Sequence, residues 1–434
     1  MPFDLHPRLR TPAATLAGAV LLAGTLAACG SGGPSRAQTL EVWTYQDAST
    51  HIQAEAVERF NENSDVQLEL VEIPGANYQE RMRTAMGTPN APDIFFNWGS
   101  GSISDFVQQD MLVDLTDTLA ETDELRDAFV PTVLAAAEID GGVYGVPMRG
   151  VQPVILFHNT ELFEQVGAEP PTTWEEMEEL IELFQEEGVT PVALGGADAW
   201  TSLMWLEYLL DRIGGAEVWQ QIESGDTEAW GDPAVVAGAQ TALDLIEDGA
   251  FGSTFLSNAY TNDGVSTYFA QGRAAMHLMG SWEYGSQLAN AEEFARERLG
   301  YGTFPVFTDG AGEASTIVGN PNNYWSVNSE LEGERLDAAL EFLKHTTDDT
   351  YLSALVANGD IPGTVGVDDR LDDHPDPEFA RFQYDLITEA SAFTQSWDQA
   401  LPNRAATEMM NAVDDLFSGG LTAQEFADTL RGVS

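Results

Sequence analysis

Three kinds of residue in this 434-residue chain could do chemistry: the carboxylates, one thiol and the tryptophans. There are 71 Asp+Glu against 18 Lys+Arg. Two carboxylates facing each other across a bond, ~5 or ~6.5–9.5 Å apart, would cut a glycosidic linkage. With so many acids a pair can always be drawn, so a secreted, lipid-anchored glycoside hydrolase is the alternative reading. No local motif singles a pair out. The chain holds no His-Glu-x-x-His, no Gly-x-Ser-x-Gly, no P-loop and no EF-hand spacing. The acidic run 368–373 lacks the glycine and terminal glutamate of a calcium loop. No catalytic residue, metal or cofactor is therefore expected. Cys29 is the single cysteine, which excludes an intrachain disulfide and a Cys-x-x-Cys pair. The ten tryptophans divide by position. Trp174, Trp205 and Trp219 fall at helical positions among apolar residues and read as core, and Trp230 and Trp325 as structure. Trp43, Trp98, Trp200, Trp282 and Trp397 lie at element ends or in a polar loop, where a flat ring can meet a ligand.

The net charge of −53 repels nucleic-acid phosphates and anionic headgroups, so no nucleic-acid partner is expected. Hydrophobic residues at 43% and aromatics at 10% exclude a disordered acidic tail. His6, Arg8 and Arg10 precede a 16-residue uncharged stretch, Ala13 to Ala28, too short for a comfortable membrane span. The stretch ends in Leu26-Ala27-Ala28-Cys29 and runs into Gly30-Ser31-Gly32-Gly33. That junction resembles a bacterial lipoprotein signal. Residues 1–28 are expected to be the signal peptide, Cys29 the lipidated new terminus and 29–38 a flexible tether. Processing would take the net charge to −54.

From Thr39 onward, short apolar runs alternate with amphipathic helices. Residues 40–45, 66–73 and 93–96 read as strands, with helices over about 52–60 and 77–86 between them. This β-α-β-α-β rhythm predicts an α/β unit with a largely parallel sheet, whose ligands sit at the strands' carboxyl ends. That points to Tyr45-Gln46-Asp47 and to 97–100. A second unit begins near 148 with the apolar strand 151–157. Thr173 and Glu176 form a capping box for a helix whose glutamates lie on the solvent side.

Four local patterns together resemble the extracellular solute-binding proteins of ATP-driven sugar importers, the maltose-binding-like group. They are Ala91-Pro92-Asp93-Ile94-Phe95-Phe96; Tyr144-Gly145-Val146-Pro147 with Leu156-Phe157-His158-Asn159 and Pro170-Pro171-Thr172-Thr173-Trp174; Phe269-Ala270-Gln271-Gly272-Arg273 leading to Gly280-Ser281-Trp282; and Ser396-Trp397-Asp398-Gln399-Ala400-Leu401 ahead of the tail helices. The resemblance implies a periplasmic-binding-protein type II fold: two α/β lobes, a hinge crossed more than once, and a ligand cleft between. Lobe 1 would be 39–147 plus about 301–350, and lobe 2 148–300 plus about 351–434. It also implies a monomer that captures an oligosaccharide without chemistry and hands it to an ABC permease, anchored outside the membrane by Cys29. Trp282 matches the family's stacking aromatic after the Gly-x-Trp turn. Trp200, Trp98, Trp397 and Trp43 are further candidate platforms. Gln46, Asn97, Ser100, Asn320, Asn322 and Asp398 are the candidate polar contacts, because sugar hydroxyls need groups that donate and accept. The acidic residues of the maltose binder after the third strand are absent, with Ser100 and Gly101 in their place, which favours another oligosaccharide.

Overall fold

The computed structural model describes residues 39–433 except 48, 75–77, 122–124 and 126. The expected signal peptide, the tether and Cys29 lie outside the described residues. The strands that organise the molecule are β1 (Thr39–Gln46), β2 (Gln67–Pro74), β3 (Ile94–Asn97), β4 (Val146–Pro147), β5 (Gln152–Asn159), β6 (Thr190–Ala193), β7 (Ala274–Gly280), β8 (Leu299–Gly302), β9 (Ile317–Asn320), β10 (Tyr324–Val327) and β11 (Phe393–Gln395).

One sheet has the order β2-β1-β3-β10-β4. β1 pairs in parallel with β2 and β3, and β10 closes on β3 antiparallel. Parallel neighbours need crossover connections, and the helices Thr50–Asn63 and Tyr78–Ala85 supply them. The second sheet has the order β11-β9-β5-β7-β6, with β8 beside β5. Its central strands β5 and β7 are antiparallel, Val154 opposite Gly280. Each sheet has its own core. The helix Trp174–Glu186 shows how the sequence builds one. Thr173 Oγ1 accepts from Glu176 N at 3.3 Å while Glu176 accepts from Thr173 N at 3.1 Å. Trp174, Met177, Leu180, Ile181 and Phe184 are buried on one face, with glutamates outside.

Among the described residues three segments cross between the lobes. Residues 148–151 join β4 to β5, and 321–323 join β9 to β10. A third, 360–364, runs beside the first, with Val151 N donating to Ile361 O at 2.8 Å. Asn322, fully buried, ties the first two together. Its Oδ1 accepts from the amides of Met148, Arg149 and Asn323 at 3.1, 3.0 and 2.8 Å, and its Nδ2 donates to Arg149 O at 2.7 Å. The chain therefore returns to lobe 1 between Asn320 and Tyr324, and not near 301, because β8 and β9 complete the second sheet. It leaves again at 360–364 and not near 351, because Tyr351 and Leu355 belong to the first core. No hydropathy break marks either crossing.

Candidate functional site

The carboxyl end of β7 faces the hinge. There the chain turns at Ser281, whose amide donates to Pro153 O at 2.8 Å, into the helix Trp282–Asn290. The Trp282 ring lies against Gly280, where any Cβ would collide with the indole. Trp200, at the start of the helix Ala199–Gly214, stands 6.3 Å from Trp282 between ring centroids, at 49°. Tyr260 meets Trp200 edge-on at 5.2 Å. Asp198 fixes the Tyr260 loop, its Oδ2 accepting from the amides of Tyr260 at 2.7 Å and Thr261 at 2.9 Å. Trp200 and Trp282 remain partly exposed. The result is an aromatic shelf on lobe 2.

Lobe 1 presents its own cluster at the ends of β1 and β3. Trp98 meets Phe96 edge-on at 4.8 Å and Tyr45 at 5.7 Å. The guanidinium of Arg149, only 4% exposed, lies 4.9 Å from the Phe96 ring. It pairs with Asp47 and donates to Tyr45 O at 3.0 Å and to Gln53 Oε1 at 3.2 Å. Burial, then the Asp47 charge, pushes the Tyr45 hydroxyl above its ordinary range, so it stays a donor. The lobes touch where Gln395 Nε2 donates to Trp98 O at 2.6 Å. Beside that contact is a groove of about 630 Å³ lined by Ser100, Ser104, Thr132, Glu223 and Thr394 among others. It follows the β11 edge of the second sheet. The shelf lies on the other side of the crossing strands, toward β7 and β6.

Two hinged α/β lobes, each with an aromatic cluster at its strand ends, are an architecture for capture, and residues 44–350 match the family of bacterial extracellular solute-binding proteins. The chain belongs to that family. Over 407 residues it is 21% identical to the xylose/arabinose-binding protein of Haloferax volcanii, covering 91% of this chain and 84% of that one. An uncharacterized ABC transporter extracellular-binding protein of Pyrococcus horikoshii is 23% identical over 238 residues, 54% of this chain and 51% of that protein. The match thus spans about half the length of that relative. A solved structure from work on xylan utilization by the thermophilic bacterium Caldanaerobius polysaccharolyticus is 26% identical, with a TM-score of 0.79 over 91% of this chain and 99% of that one. A chitin oligosaccharide binding protein, 24% identical with a TM-score of 0.79, has the same fold over 91% of this chain and 97% of that one.

In this solute-binding protein, several expected contact residues have other work. Trp397 is 1% exposed, stacked on Trp219 at 4.9 Å and edge-on to Trp230 at 5.4 Å, inside the second core. Asn97 is 3% exposed and spends its amide on Tyr324 O, Ser326 Oγ and Gly99 N. Asn322 is the hinge staple. Trp43, 6% exposed, bonds Glu41 and lies beneath Arg81. Asp398 is half-buried, its carboxyl pushed up by burial. Asn320 is 8% exposed and bonds Gln152 at 3.4 Å. Ser100 lines the groove, and Gln46 is exposed at the end of β1, bonded to Glu72. Trp282, Trp200 and Trp98 are the expected rings that keep part of their surface exposed. Sequence reasoning passed over Tyr260, which meets Trp200 edge-on; a loop tyrosine gives no periodic signal. Among the described residues no group of three or more His, Cys, Asp or Glu could hold a metal, and no helix is long and apolar enough to cross a membrane.

Proposed function

We propose that this protein is a monomeric substrate-binding lipoprotein of an ABC importer that captures an oligosaccharide by lobe closure and delivers it to the permease without turning it over. The observation that carries the reading is the shelf of Trp282, Trp200 and Tyr260, facing a hinge that lets a second lobe close on whatever stacks there. Sugar rings present apolar C–H faces that stack on indoles, and a rim of hydroxyls for lobe 1 to bond. A ligand touching both lobes only when they meet favours the closed form, which docks on the permease. The relatives named for xylose/arabinose, xylan and chitin oligosaccharide support a carbohydrate ligand. Lipidated Cys29 would tether the protein outside the membrane, contacting it through the anchor only. Calorimetric titration with xylo-, cello-, malto- and chito-oligosaccharides tests the reading. One series should bind near 1 μM, about −8 kcal/mol, with no release of reducing sugar. Turnover would establish the hydrolase instead. Trp282→Ala should weaken binding at least tenfold in a folded protein, and unchanged affinity would remove Trp282 from the site.

A further inference from the structure

Besides the crossings, the lobes meet directly where the helix Gly101–Gln108 of lobe 1 packs against the short helix Trp397–Ala400 of lobe 2. Gly101, the first residue of its helix, is buried there. A Cβ added to it would collide with the backbone carbonyl oxygens of Ala400 and Leu401. Gly101 has helical backbone and is not among the positive-φ glycines, so its conformation suits any residue. What the glycine supplies is room for the main chain of the other lobe.

The contact is continued by the residues around it. Gln395, 4% exposed at the end of β11, donates from Nε2 to Trp98 O at 2.6 Å, from lobe 2 to lobe 1. Ser100 precedes Gly101 at φ 39° and ψ −125°, a conformation that a residue with a side chain rarely adopts. Its amide donates to Ala136 O at 2.7 Å. Gly99, at φ 75°, lies so close to the same carbonyl that a Cβ would strike it. Lobe 1 thus holds a strained elbow, 99–101, where it meets residues 395–401 of lobe 2. Such strain persists only where the surroundings over-determine it, and it gathers at clamps and switches.

We infer that this elbow is a latch: closure brings Gly101 against Ala400 and Leu401 and Gln395 onto Trp98 O, and this contact between lobes holds the closed form and so sets ligand affinity. The inference rests on the reading of the protein as one that closes on its ligand. A contact made only when the lobes meet stabilises the closed form alone, and affinity for a ligand that needs that form rises with its population.

The test uses the full mature chain carrying Gly101→Ala. It is read by calorimetric titration with xylotriose, cellotriose, maltotriose and chitotriose, and by small-angle X-ray scattering with and without the trisaccharide that binds. Alanine favours a helix over glycine, so the unliganded variant should unfold in urea no more easily than the parent. Its Kd should rise at least tenfold, and with saturating trisaccharide its radius of gyration should exceed the parent's, because the lobes are propped apart. Gln395→Ala, which removes one bond and leaves room for the approach, should raise Kd about threefold. Parental affinity in Gly101→Ala overturns the inference. So does a loss of affinity matched by a loss of unliganded stability, which marks a purely structural role. If Gly101→Ala does not fold, Gln395→Ala decides, and a parental Kd there overturns the inference. If none of the four trisaccharides binds the parent, the oligosaccharide reading fails and scattering alone decides the latch. Gly101→Ala should then still be the more open of the two unliganded proteins, and equal radii overturn the inference.

Discussion

Glu207 holds a carboxyl at the point where lobe 2's core meets Ser396 and the short helix Trp397–Ala400. It is 1% exposed, and its Oε1 accepts from Ser396 Oγ at 2.7 Å and Trp397 N at 2.8 Å, while Oε2 has no partner among the described residues. Burial, with the nearby Asp398 charge adding to it, pushes the carboxyl from 4.5 up to about 8. A raised acid keeps in the folded protein a proton that the unfolded chain gives up. Its contribution to stability is full below the unfolded value of 4.5 and is lost as pH rises through about 8. Urea unfolding should therefore show stability falling between pH 4.5 and about 8, by on the order of a few kcal/mol. Glu207→Gln, which keeps the acceptor and cannot ionise, should flatten that slope; an unchanged slope would assign it to other groups. Sequence reading could not reach this residue. An acid on a helix among many others has no signature, and what meets Glu207 is the start of a short helix from the far end of the chain. Trp397 misled for the same reason, because its stacking partners Trp219 and Trp230 come from distant elements. That Trp282, Trp200 and Trp98 keep part of their surface exposed was legible, because each follows a strand or a loop at a strand's end, and that position is local information.

At the scale of elements, the crossing segments decide how the lobes move, and Asn322 decides how the crossings hold together. Replacing it by alanine would leave the buried amides of Arg149 and Asn323 without their side-chain acceptor and Arg149 O without its donor, while Met148 N keeps its bond to Asn323 O. Asn322→Ala should cost about 2–4 kcal/mol in denaturant unfolding, since a buried group left unpaired loses its full desolvation cost. A loss below ~0.5 kcal/mol would show that the strands are held by backbone pairing alone. The element pattern itself was largely readable. The first three strands and their two helices follow the period of their apolar residues, and the capping box at Thr173 starts its helix where the sequence places it. The crossings were not, since three to five residues of extended chain look the same whether they end a strand or change lobe. β11 was missed because three residues carry no periodicity, and only its pairing with β9 makes it a strand.

For the whole molecule the governing quantity is charge. With 71 acidic side chains and 18 basic ones, ion pairs can neutralise only a fraction of the carboxylates. Those that form are mostly exposed, such as Arg296–Glu292 and Arg404–Glu408, and exposed pairs contribute little. The remainder lies on helix faces: Glu175, Glu178, Glu179 and Glu182 are all exposed along the helix Trp174–Glu186. Carboxylates spread this way repel one another over the entire surface, and compaction raises that repulsion. The screening length falls from about 10 Å at 0.1 M salt to about 3 Å at 1 M, so most of the repulsion between faces should vanish in that interval. Thermal unfolding in 0.05 M and 2 M KCl should then differ by several degrees, with the high-salt form the more stable. The same comparison on a variant with Glu175, Glu179 and Glu182 changed to Gln should show a smaller difference, because those charges no longer need screening. Equal midpoints in the two salts would mean that the folded protein already tolerates its charge, and the acidity would then have to be explained by solubility and not by stability in salt.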